Sequence, residues 1–228
     1  MKTGLMPAVF VAVSLVLSGC ASDDPNRRAK TGAAIGAVTG AVIGHQVSHG
    51  SGKWVGAAAG ALAGAGIGHY MDNQQRDFEE TLAYEREQNQ MEIERMRDDT
   101  LKLSLDSEVS FDFDSARIKP TFEPSLEKLA DLLIKYDRSV VHVVGHTDSR
   151  GSSEYNLRLS KERADSVAQF LERQGVPYQR LRTEGRGEYE PRDTNATEAG
   201  RQLNRRVEVY VKPVVEGRES DAYLPPKY

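Results

Sequence analysis

The 228-residue chain has one cysteine, Cys20, so no disulfide can form within it. The redox compartment therefore has to be read from targeting signals. Positive charge is not in excess: the formal net charge is -4, which gives no general attraction to nucleic acid. No apolar run reaches the roughly 20 residues that a membrane-spanning helix needs. No serine or cysteine nucleophile has an evident base. No glycine loop in a strand-turn-helix setting offers a nucleotide cradle. His142, His146 and Asp148 come nearest to a metal or hydrolase cluster, but no further carboxylate-imidazole set completes the ligands that zinc needs. Neither catalysis nor a metal or cofactor is expected.

What is present divides the chain by composition. Lys2 gives residues 1–19 a positive start, and a short apolar run from Val9 to Leu17 follows, as in an export signal. Leu17-Ser18-Gly19-Cys20 resembles the lipobox of bacterial lipoproteins. That resemblance implies a diacylglycerol on Cys20, which becomes the new N-terminus at the head of a lipidated linker over residues 20–30. A plain secretory signal ending near a cysteine is the alternative. Several acyl chains anchor stably where one binds only marginally. Ala21, not an aspartate, follows the cysteine. By the sorting habit of enteric lipoproteins this favours the periplasmic face of the outer membrane over the inner membrane.

Residues 31–70 carry glycine at every fourth position: Gly32, Gly36, Gly40 and Gly44, then Gly56, Gly60, Gly64 and Gly68. On a helix that spacing lines up one face and permits close helix-helix approach. Each glycine costs about 1 kcal/mol against alanine, so the pattern needs tight packing or a membrane to offset it. The reading is a glycine-zipper helical hairpin turning at residues 45–54. It would associate with itself, with other copies as a homo-oligomer, or with the membrane surface; a flexible linker or a full span are the alternatives. From Met71 to Thr100 there is no Pro or Gly, and Glu, Arg and Gln dominate. This predicts a charged helical spacer over 71–100 with a thin apolar stripe at Phe78, Leu82, Ile93 and Met96. It would be either a strut or a helix docked on the next domain.

Residues 101–212 read as a mixed domain. Val109, Phe111 and Phe113 alternate with polar neighbours as in a half-buried strand, and Pro120 to Tyr136 has helical apolar spacing. Val140–Val144 predicts a strand, Glu154 to Gln174 a helix ended by Gly175 and Pro177, and Leu181–Gly187 and Arg206–Val211 two more strands. The order suggests a two-layer α/β sandwich, β-α-β-α-β-β, with helices on one face of the sheet. Residues 213–228, with Pro213, Pro225 and Pro226 among charges, read as a flexible tail.

One motif is specific. Gly145-His146-Thr147-Asp148-Ser149-Arg150-Gly151, then Tyr155-Asn156, Leu159-Ser160, Arg163-Ala164 and Val167, resemble the signature of OmpA C-terminal-like domains. Phe111 to Asp114 upstream, and Gly185 to Glu188, Pro191 and Asn204 to Val207 downstream, fit the same pattern over about half the chain. With the lipobox and zipper, the whole is similar to OmpA-family lipoproteins of the YiaD type and, more distantly, to the peptidoglycan-associated lipoprotein.

The resemblance implies a non-enzymatic, membrane-anchored protein that binds peptidoglycan through diaminopimelate. The side-chain end of that residue bears an ammonium and a carboxylate on one carbon. Such a guest needs one anion and one cation close together: Asp accepts from the ammonium, and the planar Arg fork takes the carboxylate. Asp148 follows a strand end, and Asn156, Ser160 and Arg163 share one face of the next helix. By resemblance, Asp148 and Arg163 match the ligand-binding pair. Thr147, Asn156, Arg205 and the backbone near Asp114 match its supporting contacts. An internal Asp148–Arg163 salt bridge is the bland alternative for the pair. For the whole chain, the alternative is an oligomeric membrane scaffold acting through the zipper.

Overall fold

The computed structural model describes residues 68–112, 114–216 and 218–227. The export signal, Cys20, the linker and all but the end of the zipper, with its expected hairpin, lie outside the described residues.

Residues 68–81 form helix α1, and Ala83–Glu87 continue as a short α2 after a turn at Leu82. Met71, Phe78 and Leu82 fall on one helix face, and all three are buried. Phe78 and Leu82 belong to the main hydrophobic core. Asp77 accepts from Lys135 and Tyr136, and Tyr70 OH accepts from the Arg138 N–H. The segment is therefore docked on the domain and is not a free strut. Nor does the helix reach Thr100. Asn89 takes a left-handed conformation at φ 54° and ends it. Met91–Arg95 then form strand β1, in which Met91 and Ile93 face inward between exposed Glu92 and Glu94. Here a period of two outcompetes the helical stripe, because Leu101, Leu103 and Leu105 of β2 (Leu101–Asp106) lie directly opposite.

The strand expected at Val109–Phe113 is also corrected. Ser107–Ser110 make one helical turn, α3, whose first free N–H is capped when Asp106 accepts from Glu108 N at 2.7 Å. Phe111 keeps only an isolated bridge to Ile118 and buries its ring, and Phe113 lies outside the described residues. The sheet has five strands where the sequence suggests four, because the β1–β2 hairpin stands in place of the lost strand and precedes the later elements. Those later elements are α4 (Glu123–Lys135), β3 (Ser139–Gly145), α5 (Ser153–Arg173), β4 (Leu181–Gly185) and β5 (Arg206–Pro213), with a further helix that the sequence reading lacks, α6 (Glu198–Asn204), before β5.

Strand order is β1-β2-β5-β3-β4, with β3 and β4 parallel and every other neighbouring pair antiparallel. Register stacks the core in rows across the sheet, Leu101-Val211-Val141-Leu181 and Leu103-Val209-Val143. Against these rows pack Leu126, Leu129 and Leu133 of α4 and Val167, Phe170 and Leu171 of α5, the second layer of an α/β sandwich.

The other face of the sheet is covered over β3 and β5, which the flexible-tail expectation did not foresee. Residues 219–223 form a 3-10 turn that seats Ala222, and His142 Nε2 lies 2.8 Å from the Ala222 carbonyl oxygen. Lys212 donates to the carbonyls of Asp221 and Leu224. These bonds hold the tail against β3 and β5.

Candidate ligand-binding site

The row that continues the core toward the strand ends is Leu105-Val207-Gly145-Gly185. Its two glycines exist for the helix. A Cβ on Gly145 would sit 2.0 Å from the Ser160 carbonyl oxygen, and one on Gly185 would sit 2.5 Å from Lys161 N. The backbone of α5 therefore lies directly on the sheet where β3 and β4 end. This close approach folds the loop after β3 back beside α5.

The loop itself is pinned from several sides. His146 N donates to Arg206 O, Thr147 N to Gly187 O, and Gly151 turns the chain at φ 97°. Ser152 caps α5 by accepting from Tyr155 N at 3.2 Å. Asn156, buried on the first turns of α5, donates to the Asp148 carbonyl (3.2 Å) and to Glu188 (2.7 Å). Asn156 thus braces the loop while also lining the cavity below.

That cavity, about 500 Å³, is walled by the strand-end loop, α5, the 107–119 segment and the start of α6. It collects all six residues singled out from the sequence: Asp114, Thr147, Asp148, Asn156, Arg163 and Arg205. Asp148 and Arg163 face the one cavity, each 6% exposed, and make no salt bridge with each other. Asp148 pairs instead with Arg205, whose Nη1 lies 2.6 Å from its Oδ2, while its Oδ1 accepts from Arg150 N. Arg163 donates Nε–H to the Ser115 carbonyl (3.0 Å) and sits 5.2 Å from the Phe111 ring centroid. Its terminal nitrogens make no hydrogen bond among the described residues. Burial pushes the Arg163 guanidinium below its ordinary pKa, partly opposed by Tyr155, Asp114 and Asp148. It remains a cation.

Asp114 holds a left-handed φ of 51° and accepts from the Tyr155 hydroxyl. Thr147 and Ser107 each bury a hydroxyl that has no partner among the described residues. In a folded protein an unpaired buried hydroxyl is uncommon and costs about 1–3 kcal/mol. Four wall residues were not found from sequence: Ser107, Glu108, Lys119 and Glu198. Glu108 and Glu198 both pair with Arg205, and three arginines around Glu198 hold its carboxyl down to about 2. None of the four belongs to the loop-helix motif. The nearest signal was Lys119 beside Pro120, where a helix was expected to start.

The OmpA family model matches residues 110–205, and the model of the YMGG-like Gly-zipper matches residues 1–72. The probable lipoprotein YiaD of Escherichia coli is 36% identical over 216 residues, which is 91% of this chain and 96% of that protein. The chain belongs to the OmpA family. Within it, the outer-membrane lipoprotein YfiB of Pseudomonas aeruginosa is 36% identical over 116 residues, 51% of this chain and 69% of that protein. The peptidoglycan-associated lipoprotein of Legionella pneumophila is 38% identical over 98 residues, 43% of this chain and 56% of that protein. Among solved structures, the cell wall anchor of the type VI secretion system of P. aeruginosa superposes with TM-score 0.55 at 33% identity, covering 60% of this chain and 96% of that one. The OmpA-family match begins beyond β1 and β2 and contains every residue singled out for binding.

Proposed function

We propose that this OmpA-family protein binds peptidoglycan non-covalently through the side-chain end of diaminopimelate, and so ties a membrane to the cell wall. The carrying observation is the cavity in which a buried arginine with free terminal nitrogens and a buried aspartate share one wall without pairing with each other. In this reading Arg163 takes the ligand carboxylate in its fork. Asp148 accepts from the ligand ammonium with lone pairs not used by Arg205 and Arg150 N. Thr147 lends its unpartnered hydroxyl, Asn156 braces the loop, Arg205 orients Asp148, and the backbone near Asp114 closes the far side. Phe111 and Leu159 supply apolar wall for the methylene arm.

Relatives named as a peptidoglycan-associated lipoprotein and a cell wall anchor support the wall as target, and relatives named as lipoproteins support attachment through Cys20. The outer membrane, named for YfiB, is the proposed location. No bond in the ligand is made or broken.

Sedimentation with purified sacculi tests the assignment. Full-length protein should pellet with diaminopimelate-type wall. Asp148→Ala and Arg163→Ala should each weaken binding at least roughly tenfold, since charge-assisted hydrogen bonds contribute about 1.5–3 kcal/mol each. Undiminished pelleting of both variants, with thermal unfolding unchanged, would remove the assignment.

A further inference from the structure

Arg163 and Lys119 differ from every other charged side chain on the cavity wall. The carboxylates are all engaged: Asp148 and Glu108 with Arg205, Glu198 with Arg150, Arg201 and Arg205, and Asp112 with Arg117. Asp114 accepts from Tyr155. Arg150 and Arg205 are thereby paired cations. Arg163 donates only to the Ser115 carbonyl, and Lys119 only to the Glu108 carbonyl. Among the described residues neither has a carboxylate partner.

Two cations on one wall, neither in salt-bridge contact with a carboxylate, suit a guest with two carboxylates. The zwitterionic end of diaminopimelate brings only one, and it is far smaller than the roughly 500 Å³ available. The 107–119 segment also lines this cavity, and in it Ser107 buries an unpartnered hydroxyl. A tripeptide stem ends on the diamino acid itself. Its main-chain carboxylate is then joined to the side-chain zwitterion by three methylenes, an arm that Phe111 and Leu159 can flank.

We propose that Lys119 is a second carboxylate reader, which takes the main-chain carboxylate of a stem peptide that ends at diaminopimelate. The inference rests on the function proposed above and extends it. The preferred ligand is a trimmed stem with that carboxylate free, and stems amidated there are disfavoured.

The test is calorimetric titration of full-length protein in detergent with two soluble probes. One is the tripeptide L-alanyl-γ-D-glutamyl-diaminopimelate, and the other is the same peptide with a carboxamide in place of the main-chain carboxylate. Wild type should bind the free acid roughly tenfold more tightly, the low end expected for one charge-assisted contact at a partly exposed lysine. Lys119→Met should bind both probes alike, at the wild-type affinity for the amide. A wild type that does not discriminate overturns the inference, as does a preference that survives in Lys119→Met. A Lys119→Met protein that binds neither probe overturns it too, because wild type is held to bind the amide without help from Lys119. Arg163→Ala separates the two levels. If that variant binds as tightly as wild type, or if wild type binds neither probe, the diaminopimelate reading fails and the inference falls with it.

Discussion

Thr147 keeps a hydroxyl buried and unpartnered at the edge of the cavity. The folded state bears that cost, and a bound ligand can offset it. Thr147→Val should therefore leave the thermal midpoint unchanged or slightly raised, because the orphaned hydroxyl is worth about 1 kcal/mol or more against the fold. The same change should weaken wall binding, as seen by sedimentation. A fall in both together would mean that the hydroxyl serves the fold.

A second residue-scale feature is the acid-base set on the opposite face of the sheet. Burial lowers the pKa of His142 and of His146 below the ordinary 6.5. Burial alone would raise Glu208, but the hydrogen bond with His146 and the charge of Arg206 outweigh it and hold that carboxyl far below the ordinary 4.5. Arg206 Nε lies 2.9 Å and the Tyr210 hydroxyl 2.6 Å from its oxygens. In each case the unfolded chain takes up protons first as pH falls. The stabilisation is complete above pH 6.5 for the histidines and above pH 4.5 for Glu208, and is lost below those values. Urea midpoints should fall between pH 7.5 and 5.5 and again toward pH 4. A flat profile would contradict the assignment.

At the scale of elements, what was legible depended on whether a pattern pointed to one period only. Helices α4 and α5 and strands β3, β4 and β5 came close to their expected bounds because Leu126 to Leu133 and Val140 to Val144 each suit a single period. The lining of the candidate site was legible for a different reason: the loop-helix motif holds Asp148, Asn156 and Arg163 in one continuous stretch, with Arg205 in a second. Lys119 and Glu198 arrive from other parts of the chain, and only the tertiary fold brings them in. The hairpin β1–β2 was missed because charge density around Met91 to Arg95 suits an exposed helix as well as an edge strand. Leu101, Leu103 and Leu105 alternate in plain view, but they need a partner to be read as a strand. Docking of α1 could not be read from its thin stripe. It makes a clear claim now: Phe78→Ala should cost about 3–5 kcal/mol in chemical denaturation, as for a core aromatic. A loss within about 0.5 kcal/mol is what an exposed strut would give.

At the scale of the molecule, the fold serves the cavity. Two glycines let α5 rest on the strand ends, and behind them the tail covers the far face of β3 and β5. Arg163 and Thr147 keep unpartnered groups at the cavity wall, and these are the groups assigned above to the side-chain end of diaminopimelate. Calorimetric titration of the full-length protein with otherwise identical tripeptides carrying diaminopimelate or lysine tests this most directly, because the two differ in the side-chain carboxylate that Arg163 is proposed to hold. The account predicts at least roughly tenfold tighter binding of the diaminopimelate peptide, and no preference in Arg163→Ala. Equal affinity of wild type for both peptides would contradict it.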